Sequence, residues 1–279
     1  MRADQFLLQG DFASSRSQAQ RLIASGVRWR VLDGAWKTIG KNSDELPADA
    51  QIDLLDAAEA KYVSRGGLKL EGALKSSGIN PQGKNCLDIG QSTGGFTDCL
   101  LQHGAQRVVG VDVGSGQLHP SMRAHPLVVA IENLNARTLT AADLVDACAD
   151  NAGLAGQSDE LTDDPTEDPP ADPSVDAFDG QFDLIVGDLS FISQTLVLPA
   201  LVALLKPGAD LLMLVKPQFE LQPGQVGKGG IVKDPAMYAV VEQRIRDSCA
   251  ALGLKVQGWF ASPITGGDGN REFFLHAKP

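Results

Sequence analysis

Asp88-Ile-Gly-Gln-Ser-Thr-Gly-Gly-Phe-Thr-Asp98 (DIGQSTGGFTD) stands between an apolar, strand-like run and a helical one, FTDCLLQHGA. Strand, glycine turn and helix, in that order, open the cofactor site of a parallel α/β sheet. A dinucleotide fold calls for GxGxxG here and a P-loop for GxxxxGK[ST]. The glycines instead fall at Gly90, Gly94 and Gly95, and no basic residue lies in the turn to balance a pyrophosphate. Asp88 precedes the first glycine, and Asp112 ends the next strand, where a carboxylate can accept from both ribose hydroxyls. A cationic ligand with a ribose, S-adenosylmethionine (SAM), suits that pattern. A nicotinamide dinucleotide, or glycines that are purely structural, are the alternatives.

Outward from this turn, strand-like runs recur as NCLDIG, QRVVGVDV, PLVVAIE, FDLIVGDLS, ADLLMLVKP, LKVQGWFASPI and NREFFLHAK. Helical stretches separate the first five, and the last two lie close together, as an antiparallel pair would. An α/β fold with a doubly wound, Rossmann-like, seven-stranded sheet is expected over residues 84–279. Residues 58–83 read as a linker with a leading helix from about Gly67 to Ser77. Residues 1–57 read as a small α+β unit. Its helix SSRSQAQRLIASG is capped by Ser14 or Ser15 and stopped by Gly26, and two short strands, VRWRVLDG and AQIDLLD, follow.

The net charge of −11 would disfavour a nucleic-acid partner if it were spread evenly. Residues 150–179, however, carry ten acidic groups and no Lys or Arg, so the remainder stands at −1. Residues 1–41 hold seven Lys/Arg against three Asp/Glu, a local +4. A basic end is thus masked by one acidic, Pro-rich segment, which reads as a disordered loop. Arginines on the N-terminal helix suit an RNA-binding module; solvated arginines on a plain appendage are the other reading. Four scattered cysteines without CxxC spacing suit free thiols in a reducing cytoplasm. His103, His119, His125 and His276 show no metal spacing, so no metal is expected and they read as structural or exposed. No signal peptide and no membrane span is expected, which points to a cytoplasmic protein.

The fourth strand of the large sheet ends in Asp188-Leu-Ser-Phe191, without the Pro-Pro run usual in methylation of exocyclic amines. No Pro-Cys occurs for attack on a pyrimidine carbon. Lys216 after the fifth strand, Glu272 in the last and Lys69 before the sheet could converge with Asp188 on one crevice. A desolvated lysine crowded by a second would have a lowered pKa and could take a proton from a ribose 2′-hydroxyl. Taken singly, Lys216 could be a surface lysine, Asp188 a turn former and Glu272 half of a cross-strand ion pair. GKGGIVKDP (with Lys228 and Lys233) and SRGGLK (with Arg65) are basic loops suited to RNA phosphates, or incidental.

YVSRGGLKLEGAL, LDIGQSTGGFTDCLLQHGA, GVDVGSGQL, FDLIVGDLSFISQTLVLPAL, LVKPQFE, GKGGIVKDP and SPITGGDGNREFFL together resemble the TlyA-type ribosomal RNA methyltransferases, also labelled hemolysins. The resemblance spans nearly the whole chain apart from the acidic insertion. It implies an S4-like RNA-binding domain, an FtsJ-like SAM domain and 2′-O-methylation of cytidine in ribosomal RNA. It implies a tetrad of Lys69, Asp188, Lys216 and Glu272, and SAM contacts from Asp88, Gly90, Ser92, Thr93, Gly94, Gly95, Phe96, Asp112, Val113, Glu132 and Asn135. RNA contacts are expected from Arg2, Arg16, Arg21, Arg65, Lys228 and Lys233. The expected partner is ribosomal RNA or a ribosomal subunit, with no membrane, and a monomer fits this reading. The short termini resemble the form acting on large-subunit rRNA. Gln91 (expected at the pocket lip), Ser115 and Asn133 depart from the usual pattern. A hemolysin and an inactive RNA binder are the competing classes.

Overall fold

The computed structural model describes residues 1–13, 15–55, 61–155 and 178–279. An N-terminal unit packs α1 (Ala3–Gln9) and α2 (Arg16–Gly26) on a sheet of β1 (Val27–Arg30), β2 (Lys37–Thr38) and β3 (Gln51–Leu54) in the order β2-β1-β3. Ser15 caps α2 by accepting from the Gln18 amide, which satisfies one of the orphan donors of the first turn. Ala19, Leu22 and Ile23, spaced on one helical face, join Leu7 and Val27 in a core of their own. The strand β2 is absent from the sequence reading because two residues carry no periodicity.

Helix α3 (Gly66–Ser77) leads into β4 (Asn85–Ile89), α4 (Gly95–Gln102), β5 (Arg107–Val111), α5 (Pro120–Arg123) and β6 (Val128–Ile131). After α6 (Ala141–Ala155) follow β7 (Phe182–Gly187), α7 (Leu198–Val202), β8 (Leu205–Val215), α8 (Pro217–Glu220), α9 (Ala236–Ala251), β9 (Lys255–Ala261) and β10 (Phe273–Lys278). The seven-stranded sheet runs β6-β5-β4-β7-β8-β10-β9. Its first five strands are parallel, and β10 pairs antiparallel with both β8 and β9. The expected doubly wound sheet is therefore present. Strands β4, β7 and β8 read as continuous apolar runs because helices cover both faces. Fully buried Phe182 and Phe274 each contribute about 1.5–3 kcal/mol by leaving water.

One expectation needs correction. Residues 150–155 of the acidic segment belong to the end of α6 rather than to a loop, since the Ala-rich AADLVDACADNAGLA run carries good helix propensity. Residues 156–177 of that segment, Ser14 as the alternative cap and linker residues 56–60 lie outside the described residues.

Strand order reverses between β4 and β7, so the ends of these neighbours diverge into a crevice at the carboxyl edge of the sheet. The antiparallel register Phe273↔Val215 brings the start of β10 to that same edge, next to the end of β8. Residues far apart in sequence thus meet at one edge.

Candidate active site

Asp188 follows β7, Lys216 follows β8 and Glu272 precedes β10, so three strand ends deliver three of the four expected side chains. The fourth, Lys69, comes from the first turns of α3. Lys216 Nζ lies 2.6 Å from Asp188 Oδ1 and donates to Ser190 Oγ at 2.8 Å. Lys69 Nζ lies 2.6 Å from Glu272 Oε2 and 3.9 Å from Asp188 Oδ2. The four form a continuous chain, Glu272–Lys69–Asp188–Lys216, with Asp188 between the two ammonium groups. Lys69 and Glu272 are buried, and burial pushes the Glu272 carboxyl up, with Lys69 opposing. Ion pairs this far out of water persist only when well matched in geometry.

The quoted turn closes over the same edge. Gly90 has φ +81, and a Cβ there would stand 2.8 Å from the Asp188 carbonyl oxygen. Only glycine takes that backbone cheaply and lets the turn come so near the end of β7. At Gly95 a Cβ would meet Ser64 Oγ at 2.1 Å, so the second glycine of the pair admits the linker against the start of α4. Asp112 Oδ2 accepts from the Ser92 amide and Oδ1 from the Gly114 amide, both at 2.7 Å. Its carboxylate thereby clamps the turn to the segment after β5 and sits in a cavity of about 460 Å³. Gly90, Ser92, Val113, Asn135, Asp188 and Phe191 are among its walls. A second cavity of about 270 Å³ joins Gly90, Ser92, Thr93, Gly95 and Phe96 to Asp188, Ser190 and Lys216. A nucleoside cavity with a strand-end carboxylate, continuous with a pocket that reaches the lysine, fits SAM.

A family model for FtsJ-like methyltransferases matches residues 62–278. The chain belongs to the FtsJ-like methyltransferase family. A Mycobacterium tuberculosis protein named 16S/23S rRNA (cytidine-2'-O)-methyltransferase TlyA is 40% identical over 275 residues, 98% of this chain and 88% of that one. Hemolysin A of Brachyspira hyodysenteriae is 35% identical over 280 residues, 99% of each chain. The solved structure of a hemolysin candidate from Streptococcus thermophilus is similar at a TM-score of 0.68 and 32% identity, covering 100% of this chain and 88% of that one.

Within this FtsJ-like domain, some expected cofactor residues lie elsewhere than the walls. Asp88 is buried beneath the turn, accepts from Thr97 Oγ1 at 2.7 Å, and is pushed up to about 7 by burial. Gln91, expected at the pocket lip, does line the smaller cavity, while its buried side chain donates to Thr97 Oγ1 at 2.9 Å and fills the space that Gly110 leaves open. Glu132 turns to Arg123 and the Gly116 amide, and the Arg123 contact holds its carboxyl below the ordinary range. It braces the loop after β5 beside the cavity.

Arg21 and Arg65 line a third cavity of about 690 Å³, between the N-terminal unit and the methyltransferase domain, together with Lys69. Arg2 and Arg16 are instead committed to Asp4, which is inaccessible to solvent and held down to about 2, chiefly by its bond to Arg2. Lys228 and Lys233 are exposed on a loop that Asn270 ties beside Glu272, by accepting from the Val232 amide and donating to the Gly230 carbonyl. His276 is buried and bonded to Asp210, a structural role as expected. No group of metal-ligating side chains occurs among the described residues, and no described helix is long and apolar enough to cross a membrane.

Two residues beside Asp188, Ser190 and Phe191, join the site without any signal in the sequence. Ser190 holds Lys216, while Phe191, 90% exposed with φ +64, stands at the cavity rim against Phe219. An apolar residue in a strained, exposed conformation implies a constraint that sequence does not display. Glu220 was also missed. Buried and pushed up by that burial, it accepts from Ser193 Oγ and the Gln194 amide and so fixes the loop carrying Asp188.

Proposed function

We propose that this protein is a cytoplasmic SAM-dependent methyltransferase of ribosomal RNA that modifies the 2′-oxygen of a cytidine ribose. The observation that carries the reading is the chain Glu272–Lys69–Asp188–Lys216, placed where the cofactor cavity opens. The activity named for the M. tuberculosis relative supports the choice of acceptor.

SAM, when bound, supplies an electrophilic methyl group. Asp112 and Asn135 are assigned to the nucleoside, and the turn from Gly90 to Phe96 to the methionine end. Lys216 faces the pocket shared with the turn, so it is assigned to the substrate hydroxyl: acting as the neutral amine, its Nζ accepts the hydroxyl proton and becomes the ammonium. Asp188 orients Lys216 and offsets the positive charge that this transfer creates. Lys69, held by Glu272, donates toward the same oxygen and fixes its position. Residues 1–57 act as the S4-like docking module, residues 58–83 as the linker, and Arg21 and Arg65 flank the path of the RNA. Lys228 and Lys233 take phosphates near the site.

Transfer of labelled methyl from SAM to ribosomal RNA, followed by digestion to nucleosides, tests this. Label in 2′-O-methylcytidine is expected; label on a base, or none, contradicts it. The name of the Brachyspira relative raises a lytic reading. Red-cell lysis that survives Lys216→Ala would favour it.

A further inference from the structure

The three-stranded sheet of the N-terminal unit has one face on its core and one face open. Val27, Trp29, Ile52 and Leu54 point to the core, with Trp29 paired to Ile52. Alternation along β1 sends Arg28 and Arg30 to the other face, opposite Asp53 and Gln51. Thr38 pairs with Arg28, so Trp36, two residues earlier, falls on this outer face as well. There its exposed ring lies 4.6 Å from Arg30 Cζ and 5.4 Å from Arg28 Cζ. Arg28 is ion-paired with Asp53, whereas Arg30 bonds through Nε to Gln51 Oε1 at 2.9 Å. Among the described residues no hydrogen bond uses the two Nη groups of Arg30.

We propose that this face is a separate RNA contact, in which an unpaired base of the substrate stacks on Trp36 while Arg30 holds the adjoining phosphate. It rests on RNA being the substrate, and adds a surface that none of Arg2, Arg16, Arg21, Arg65, Lys228 or Lys233 belongs to. An exposed indole beside guanidinium groups is the chemistry by which single strands are held without sequence readout. Charge at this face favours RNA over a protein partner: Arg28 and Arg30 both lie beside Trp36, and Asp53, opposite Arg28, is already paired with it. The contact serves docking, so affinity depends on it and turnover at saturating RNA does not.

The test compares wild type, Trp36→Ala, Trp36→Phe and Arg30→Gln in the full chain. Dissociation constants are measured for protein-free large-subunit rRNA and for assembled subunits over a salt series, alongside SAM affinity. Trp36→Ala is expected to weaken RNA binding about tenfold with its salt dependence retained, and Trp36→Phe to recover most of that loss. Arg30→Gln is expected to reduce the salt slope by about 1. SAM affinity stays at the wild-type value in all, and Arg30→Gln alone decides if Trp36→Ala does not fold. Unchanged RNA affinity in Trp36→Ala and an unchanged slope in Arg30→Gln, with wild type still methylating RNA, overturn this proposal alone. A loss on assembled subunits but none on protein-free rRNA also overturns it, by assigning the face to a ribosomal protein. Wild type that neither binds nor methylates RNA removes the underlying reading.

Discussion

Asp188 places one carboxylate oxygen 2.6 Å from Lys216 Nζ and the other 3.9 Å from Lys69 Nζ, so a single side chain spaces both lysines. Its own position is set by the approach of Gly90 to its backbone carbonyl. The glycine turn after β4 and Asp188 after β7 are thereby built on adjacent strands, and a change in either is felt by the other.

Lys216→Ala removes the group assigned to the substrate proton. Methyl transfer is expected to fall by about 10²–10⁴-fold, with SAM affinity held within about threefold. Single-turnover transfer and SAM titration by calorimetry separate the two; a parallel loss of SAM binding would show that Lys216 acts on the cofactor instead.

Asp112→Ala removes the clamp between the Ser92 and Gly114 amides together with the acceptor for the ribose. SAM affinity is expected to fall about tenfold or more, since charge-assisted hydrogen bonds are lost. At saturating SAM, the turnover should fall far less than in Lys216→Ala.

Gly90→Ala forces a side chain into a backbone with φ +81, at a cost of about 1–2 kcal/mol before any clash. Its Cβ would also press on the Asp188 carbonyl, so SAM affinity and turnover are expected to fall together. Thermal unfolding and kinetics on one preparation check this; a variant that is fully active would disprove the coupling of turn and base.

The pH dependence of stability has two opposed windows. Asp88, at about 7 in the folded protein, keeps a proton that the unfolded chain loses near pH 4. The folded state then binds more protons than the unfolded one, so this residue lowers stability as pH rises from about 4 to 7, with no further change above. Glu272, also raised by burial, acts in the same sense. Asp4, held at about 2, contributes stability that is present above about pH 4 and lost as pH falls toward 2. Asp88→Asn is expected to gain on wild type in melting temperature between pH 5 and 7 and to keep a constant lead at pH 8. A lead independent of pH would mean that Asp88 is ionised throughout.

The seven strands of the large sheet were legible because each is an apolar run bounded by turn residues, and the meeting of Asp188 with Lys216 because both follow such runs. Lys69 was reachable only from its place before the sheet in SRGGLK. What stayed hidden depends on contacts between distant segments. Asp88 looked like a pocket residue beside Gly90, yet it points beneath the turn to Thr97 on α4, and the bond of Gln91 to that same Thr97 across the open space at Gly110 was equally hidden. Arg2 and Arg16 looked like free cations because nothing in the sequence marks Asp4 as their buried partner. Phe191 was invisible for a different reason, since a single aromatic after a strand is ordinarily core and here it is exposed.

The central claim is tested most directly by mapping 2′-O-methyl groups across ribosomal RNA from cells with this protein, without it, and with only Lys216→Ala. At least one 2′-O-methylcytidine is expected that is present with the wild-type protein and absent from the other two. An identical methylation map in all three, or a mark that persists with Lys216→Ala, would contradict it.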